Sequence, residues 1–66
     1  MYEYNLSIGL YDKYIKDEYV IQINYKAFDQ IDAEKIAKML TENIPNLSSY
    51  ALFRKEDIFI KNYKKQ

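Results

Sequence analysis

From Tyr2 to Leu10 every second residue is apolar: Tyr2, Tyr4, Leu6, Ile8 and Leu10 alternate with Glu3, Asn5, Ser7 and Gly9. A strand points successive side chains to opposite faces, so this period commits the five apolar residues to one face of a sheet. The pattern returns over Glu18–Phe28, with Tyr19, Ile21, Ile23, Tyr25 and Ala27 on one face and Gln22, Asn24 and Lys26 on the other. Between them, Tyr11-Asp12-Lys13-Tyr14-Ile15-Lys16-Asp17 is charged and short enough for a hairpin loop. It contains neither Asn-Gly nor Asp-Gly, which argues against a two-residue turn. The fold is therefore expected to start from an antiparallel hairpin.

A helix follows. Ala33, Ile36, Ala37, Leu40 and Ile44 recur at spacings of three and four and form one apolar stripe. Asp32 suits the N-cap, and Ile31 and Ile36 then have the spacing of a hydrophobic staple; Asp29 is the competing cap, one turn earlier. Glu34 and Lys38 form an i,i+4 pair in the favoured order. Pro45 marks the end, because the residue before a proline is pushed out of the helical region. Asn46 to Ser49 then reads as a loop.

The remaining residues suggest a second hairpin, Tyr50–Lys55 and Ile58–Tyr63, with Glu56-Asp57 at its turn. Its alternation is imperfect. Tyr50 and Leu52 oppose Ala51 and Phe53, and Ile58 and Ile60 oppose Phe59. The expected fold class is α+β, in the order β-β-α-β-β: a single antiparallel four-stranded sheet with one helix on one face. A helix of about 12 residues, about 18 Å long, covers the middle of such a sheet and leaves its other face open. On the first two strands that face is Asn5, Ser7, Gln22 and Asn24. On the last two it carries either Phe53 and Phe59 or Tyr50, Leu52, Ile58 and Ile60. An apolar patch there suggests a homodimer through the open sheet face, or through paired sheet edges; scattered surface aromatics are the alternative.

Composition narrows the chemistry. A chain of 66 residues makes one small domain, here 1–66 with 64–66 as a frayed tail, and it lacks cysteine, histidine and tryptophan. Without thiolate or imidazole there is no zinc ligand set and no activated serine. The carboxylates Asp12, Asp17, Glu18, Asp29 and Asp32 lack the spacing of a calcium loop. Gly9, the only glycine, sits in a strand pattern, where it marks a bulge or twist rather than a phosphate cradle. The chain is expected to be no enzyme and to hold no cofactor or metal. No apolar run approaches the ~18 residues of a membrane span, and no signal peptide follows Met1, so a cytoplasmic protein is expected.

Ten basic and ten acidic residues give zero net charge, but unevenly: residues 1–34 carry three basic and seven acidic groups, residues 35–66 the reverse. Eight tyrosines favour protein binding, since tyrosine buries a large ring at low entropic cost and keeps a polar handle. The expected partner-binding residues are Tyr11, Asp12, Tyr14 and Asp17 in the acidic-aromatic loop, with Phe53 and Phe59 on the last hairpin. The alternative is a sheet that binds single-stranded nucleic acid through Arg54, Lys55, Lys61 and Tyr63. An abundance of Lys, Asn, Ile and Tyr, with AT-rich codons, suggests a low-GC bacterium or its phage. A short domain without catalytic groups suits a phage or mobile-element accessory protein, an inhibitor or adaptor of a host protein.

Overall fold

β1 (Tyr2–Asp12) forms as its alternation requires and becomes the central strand of the sheet. The computed structural model describes residues 1–55 of the chain. Around β1 they contain β2 (Asp17–Ala27), α1 (Gln30–Thr41) and β3 (Leu47–Arg54). The sheet is antiparallel in the order β2-β1-β3. This corrects the expected four-stranded sheet: three strands form among the described residues, with the helix against one face. The stretch read as a fourth strand, 58–63, lies outside them. Its sequence places apolar residues on both faces, and such a pattern specifies neither a buried face nor a register. Among the described residues no helix is long and apolar enough to cross a membrane.

The inner face follows from the register. Tyr4, Leu6, Ile8 and Leu10 lie opposite Tyr25, Ile23, Ile21 and Tyr19 on β2, and opposite Arg54, Leu52, Tyr50 and Leu47 on β3. Tyr4, Leu6 and Ile8 are at most 1% exposed. Burying a Leu or Ile side chain contributes about 1.5–3 kcal/mol, so this row supplies much of what a domain this small has. Tyr2 shares the face but stays 45% exposed at the sheet's end, where the Arg54 guanidinium lies 5.3 Å from its ring centroid. On β3, Tyr50 and Leu52 take the helix side, and Ala51 and Phe53 the open side. Leu47 also joins the strand, extending it into residues expected to be loop.

The helix starts earlier than the favoured reading of its caps. Asp29 is the N-cap: its backbone is extended at φ −157° and ψ −177°, and its Oδ1 accepts the Asp32 amide at 2.8 Å. Asp32 sits at the third helical position and in turn accepts the Phe28 amide at 3.1 Å. Asp29 thus satisfies a first-turn amide that helix geometry leaves without a partner, and Asp32 holds the residue just before the cap. The Ile31–Ile36 staple does not form, and Ile31 is 67% exposed.

On this register Ala33, Ala37 and Thr41, at successive fours, are the buried residues of the helix. Ala33 packs with Tyr4 and Ala27, and Ala37 with Leu6, Ile8 and Leu10. Leu40, expected in the stripe, remains 43% exposed. Small side chains bring the helix close to the sheet, and Ile36 and Ile44 fill the flanks. Buried Thr41 is tolerated because its hydroxyl donates to the Ala37 carbonyl, 2.9 Å away. Tyr25 ties the layers together: its hydroxyl donates to the Ala33 carbonyl at 2.5 Å.

Two outcomes test this packing. Ala37→Leu forces added volume between α1 and β1 and is expected to cost about 1–3 kcal/mol in urea unfolding. Burial raises the Tyr25 pKa above its usual 10.0, with smaller contributions from Tyr4 and Asp32. The folded state therefore keeps this proton at pH values where the unfolded chain releases it. The stability it contributes is complete below pH 10 and declines as pH rises through the folded-state value. Tyr25→Phe is expected to flatten that alkaline decline in stability measured against pH.

Candidate partner-binding site

One end of the sheet holds Tyr11, Tyr14 and Tyr19. β1 and β2 stay paired to their last residues, Asp12 opposite Asp17, so the connection is the four-residue loop Lys13-Tyr14-Ile15-Lys16. Two backbone features hold it. Asp12 Oδ1 accepts the Tyr14 amide at 2.8 Å, a side-chain turn that asparagine and aspartate favour. Lys16 closes the loop in the left-handed region, at φ 55°. Asp17 Oδ1 accepts the Glu18 amide at 2.8 Å, so both carboxylates at the base of the loop are fixed in place.

The connection between α1 and β3 packs beside this loop. The Tyr11 amide donates to the Asn46 carbonyl at 2.9 Å, and Asn46 Nδ2 returns a bond to the Tyr11 carbonyl at 3.0 Å. This reciprocal pair fixes Pro45 and Asn46 against the end of β1. The result is an open-sided cavity of about 530 Å³ lined by Tyr11, Asp12, Lys13, Tyr14, Tyr19, Pro45 and Asn46. Tyr14 is 85% exposed, and Tyr11 and Tyr19 are each 45% exposed. The Lys13 ammonium lies 5.5 Å from the Tyr14 ring centroid, so this ring face already receives a cation.

Of the residues expected to bind a partner, Tyr11, Asp12, Tyr14 and Asp17 are thus brought together. Phe53 is not. It lies on the open face of β3, opposite Asn5. Phe59 lies outside the described residues, as do Lys61 and Tyr63. The alternative nucleic-acid set is divided: Arg54 is on the helix face over Tyr2, whereas Lys55 pairs with Glu3 at 3.5 Å. Tyr19, Pro45 and Asn46 were not read as site residues. Tyr19 carries the alternation of a core position, and Pro45-Asn46 signals only a helix stop. Tyr19 reaches the loop through the local hairpin register, and Pro45 and Asn46 through the long-range pairing of β3 with β1.

The open face itself is a polar ladder. Asn5 Nδ2 donates to Gln22 Oε1 at 3.2 Å and to Asn24 Oδ1 at 3.0 Å, while Ser7 donates to Asn5 Oδ1 at 3.2 Å. Gly9 sits where β3 bulges, its register passing from Gly9–Ser49 to Leu10–Leu47. A Cβ on Gly9 would lie 3.1 Å from Ser49 Oγ, closer than ordinary contact. Across this bare position the extra residue, Ser48, donates to the Glu18 carboxylate on β2. Among the described residues no three Asp, Glu, His or Cys side chains gather as a metal site.

If the Asn46 clip builds the cavity, Asn46→Ala is expected to cost about 0.5–1.5 kcal/mol, the usual worth of such a bond. Amide exchange at Tyr11 and Leu47 should then accelerate while Leu6 and Ile8 stay protected. Compared with known proteins, the chain matches no family model, and neither a curated protein nor a solved structure is significantly similar to it.

Proposed function

We propose that the protein is a small non-enzymatic binding module that takes a cationic segment of another protein into the tyrosine cavity at its loop end. The observation that carries this reading is the cavity lined by Tyr11, Tyr14, Tyr19 and Pro45, beside Asp12 and Asp17. Tyrosine rings accept guanidinium or ammonium groups on their faces, and neighbouring carboxylates draw such groups in and orient them. Lys13 over Tyr14 is an internal example of the contact. An inhibitor or adaptor of a host protein acts by occupancy, and a cavity that holds a cationic segment is enough for that.

The single-stranded nucleic-acid reading has less support. Phe53 and Arg54 point to opposite faces of β3, and Lys55, the cation on the side of Phe53, is already paired with Glu3.

Selection of a random-peptide display library on the immobilised protein tests the proposal. Enrichment of peptides bearing Arg or Lys is expected, with affinity that falls as salt rises. Tyr14→Ala should weaken the selected peptides by about two- to fivefold, the scale of one exposed cation–π contact. Enrichment without basic residues, or binding indifferent to Tyr14 and Asp17, would contradict the proposal. So would salt-sensitive binding of single-stranded oligonucleotides with no peptide selected.

A further inference from the structure

β2 is an edge strand of eleven residues, and among the described residues nothing pairs with its outer side. From Tyr19 to Tyr25 it carries no charge, no proline and no bulge. Natural edge strands are usually short, charged or irregular, because a long regular edge presents free amides and carbonyls to another strand. Here the charges stand only near the ends: Asp17 and Glu18 at the start, Lys26 close to the finish.

We infer that β2 pairs antiparallel with β2 of a second copy of this chain, with Gln22 on the two-fold axis. The inference is independent of the loop-end cavity and extends beyond it. An antiparallel two-fold contact keeps both helices on one side of the joined sheet, so odd-numbered residues face odd-numbered residues. Centred on Gln22, Ile21 faces Ile23 of the second copy, Tyr19 faces Tyr25, and Glu18 faces Lys26. Each pair occurs twice. The apolar pairs extend the inner face, where Ile21 and Tyr19 are 40% and 45% exposed in the single chain. The charged pair lies on the open face and closes both ends of the contact with opposite charges. A shift of the axis to Ile21 sets Glu18 against Asn24, and a shift to Ile23 sets Lys26 against Val20. Charge complementarity therefore selects the Gln22 register. Glu18 accepts from Ser48 through Oε1, and its second oxygen can accept from lysine. The open face is the less suitable surface for self-association, because its centre is the hydrogen-bonded ladder of Asn5, Ser7, Gln22 and Asn24.

Sedimentation equilibrium of the full chain from micromolar to millimolar concentration tests this, with three variants. The parent protein should fit a monomer–dimer equilibrium. Lys26→Glu sets like charges opposite each other at both ends and should raise the dimer dissociation constant roughly tenfold. The double variant E18K/K26E exchanges the charges and should return it to within about threefold of the parent. Phe53→Lys, which adds charge to the open face, should leave it within the same range. Circular dichroism and concentration-dependent amide exchange over residues 19–25 keep the result interpretable if a variant is destabilised: the edge amides of the parent should gain protection with concentration. A monomer at millimolar concentration would overturn the inference. So would a dimer insensitive to Lys26→Glu, not restored by the charge exchange, or abolished by Phe53→Lys.

Discussion

The structure depends on the burial of β1 beneath α1. Tyr4, Leu6 and Ile8 lose nearly all contact with solvent, and the helix approaches them through Ala33 and Ala37 rather than through large side chains. That choice of small residues sets the distance between layers. It also lets one hydrogen bond, from Tyr25 to the Ala33 carbonyl, span from sheet to helix. A slip of one residue in β1 would place Asn5 and Ser7 under the helix and Leu6 in water, so the apolar pattern fixes the register. With the register fixed, Asp12 meets Asp17 and the hairpin loop has one length and one position.

Everything proposed about binding rests on that fixed end. Tyr14 sits on a short loop between the strands that carry Tyr11 and Tyr19; its base is held by carboxylate-to-amide bonds and its flank is clipped by Asn46. Side chains on a loop carried by a rigid scaffold can recognise a partner without ordering a long segment first. The remaining surfaces behave differently. On the open face the polar groups answer one another, whereas the outer side of β2 offers backbone groups and apolar side chains in a row.

The elements that pack against the helix were legible because their periods are undiluted. Tyr2–Leu10 and Glu18–Phe28 contain few exceptions to alternation, and the bulge beside Gly9 lay where a lone glycine in a strand suggested. The start of the helix was less legible, since Asp29 and Asp32 are both good caps. They turned out to cooperate, with Asp29 as the cap and Asp32 bonding back to Phe28. Thr41 escaped notice because a hydroxyl breaks an apolar stripe unless it bonds within its own helix, as it does here. The four-stranded expectation gives way to three strands among the described residues; the stretch read as the fourth, 58–63, has apolar residues on both faces and lies outside them. Of the cavity lining, Tyr11, Asp12 and Tyr14 were legible as members of an acidic-aromatic loop, though a cavity was not. Pro45 and Asn46 were not, because no local pattern reports that a residue 35 positions away will bond to Tyr11.

The central claim is that the loop end receives cations on its tyrosine faces. Amide shift mapping of the full chain during titration with an arginine amide tests it most directly. Saturable, salt-sensitive shifts confined to residues 11–19 and 45–47 are expected. Shifts centred on residues 49–53 of the open face, or none at saturating concentration, would contradict it.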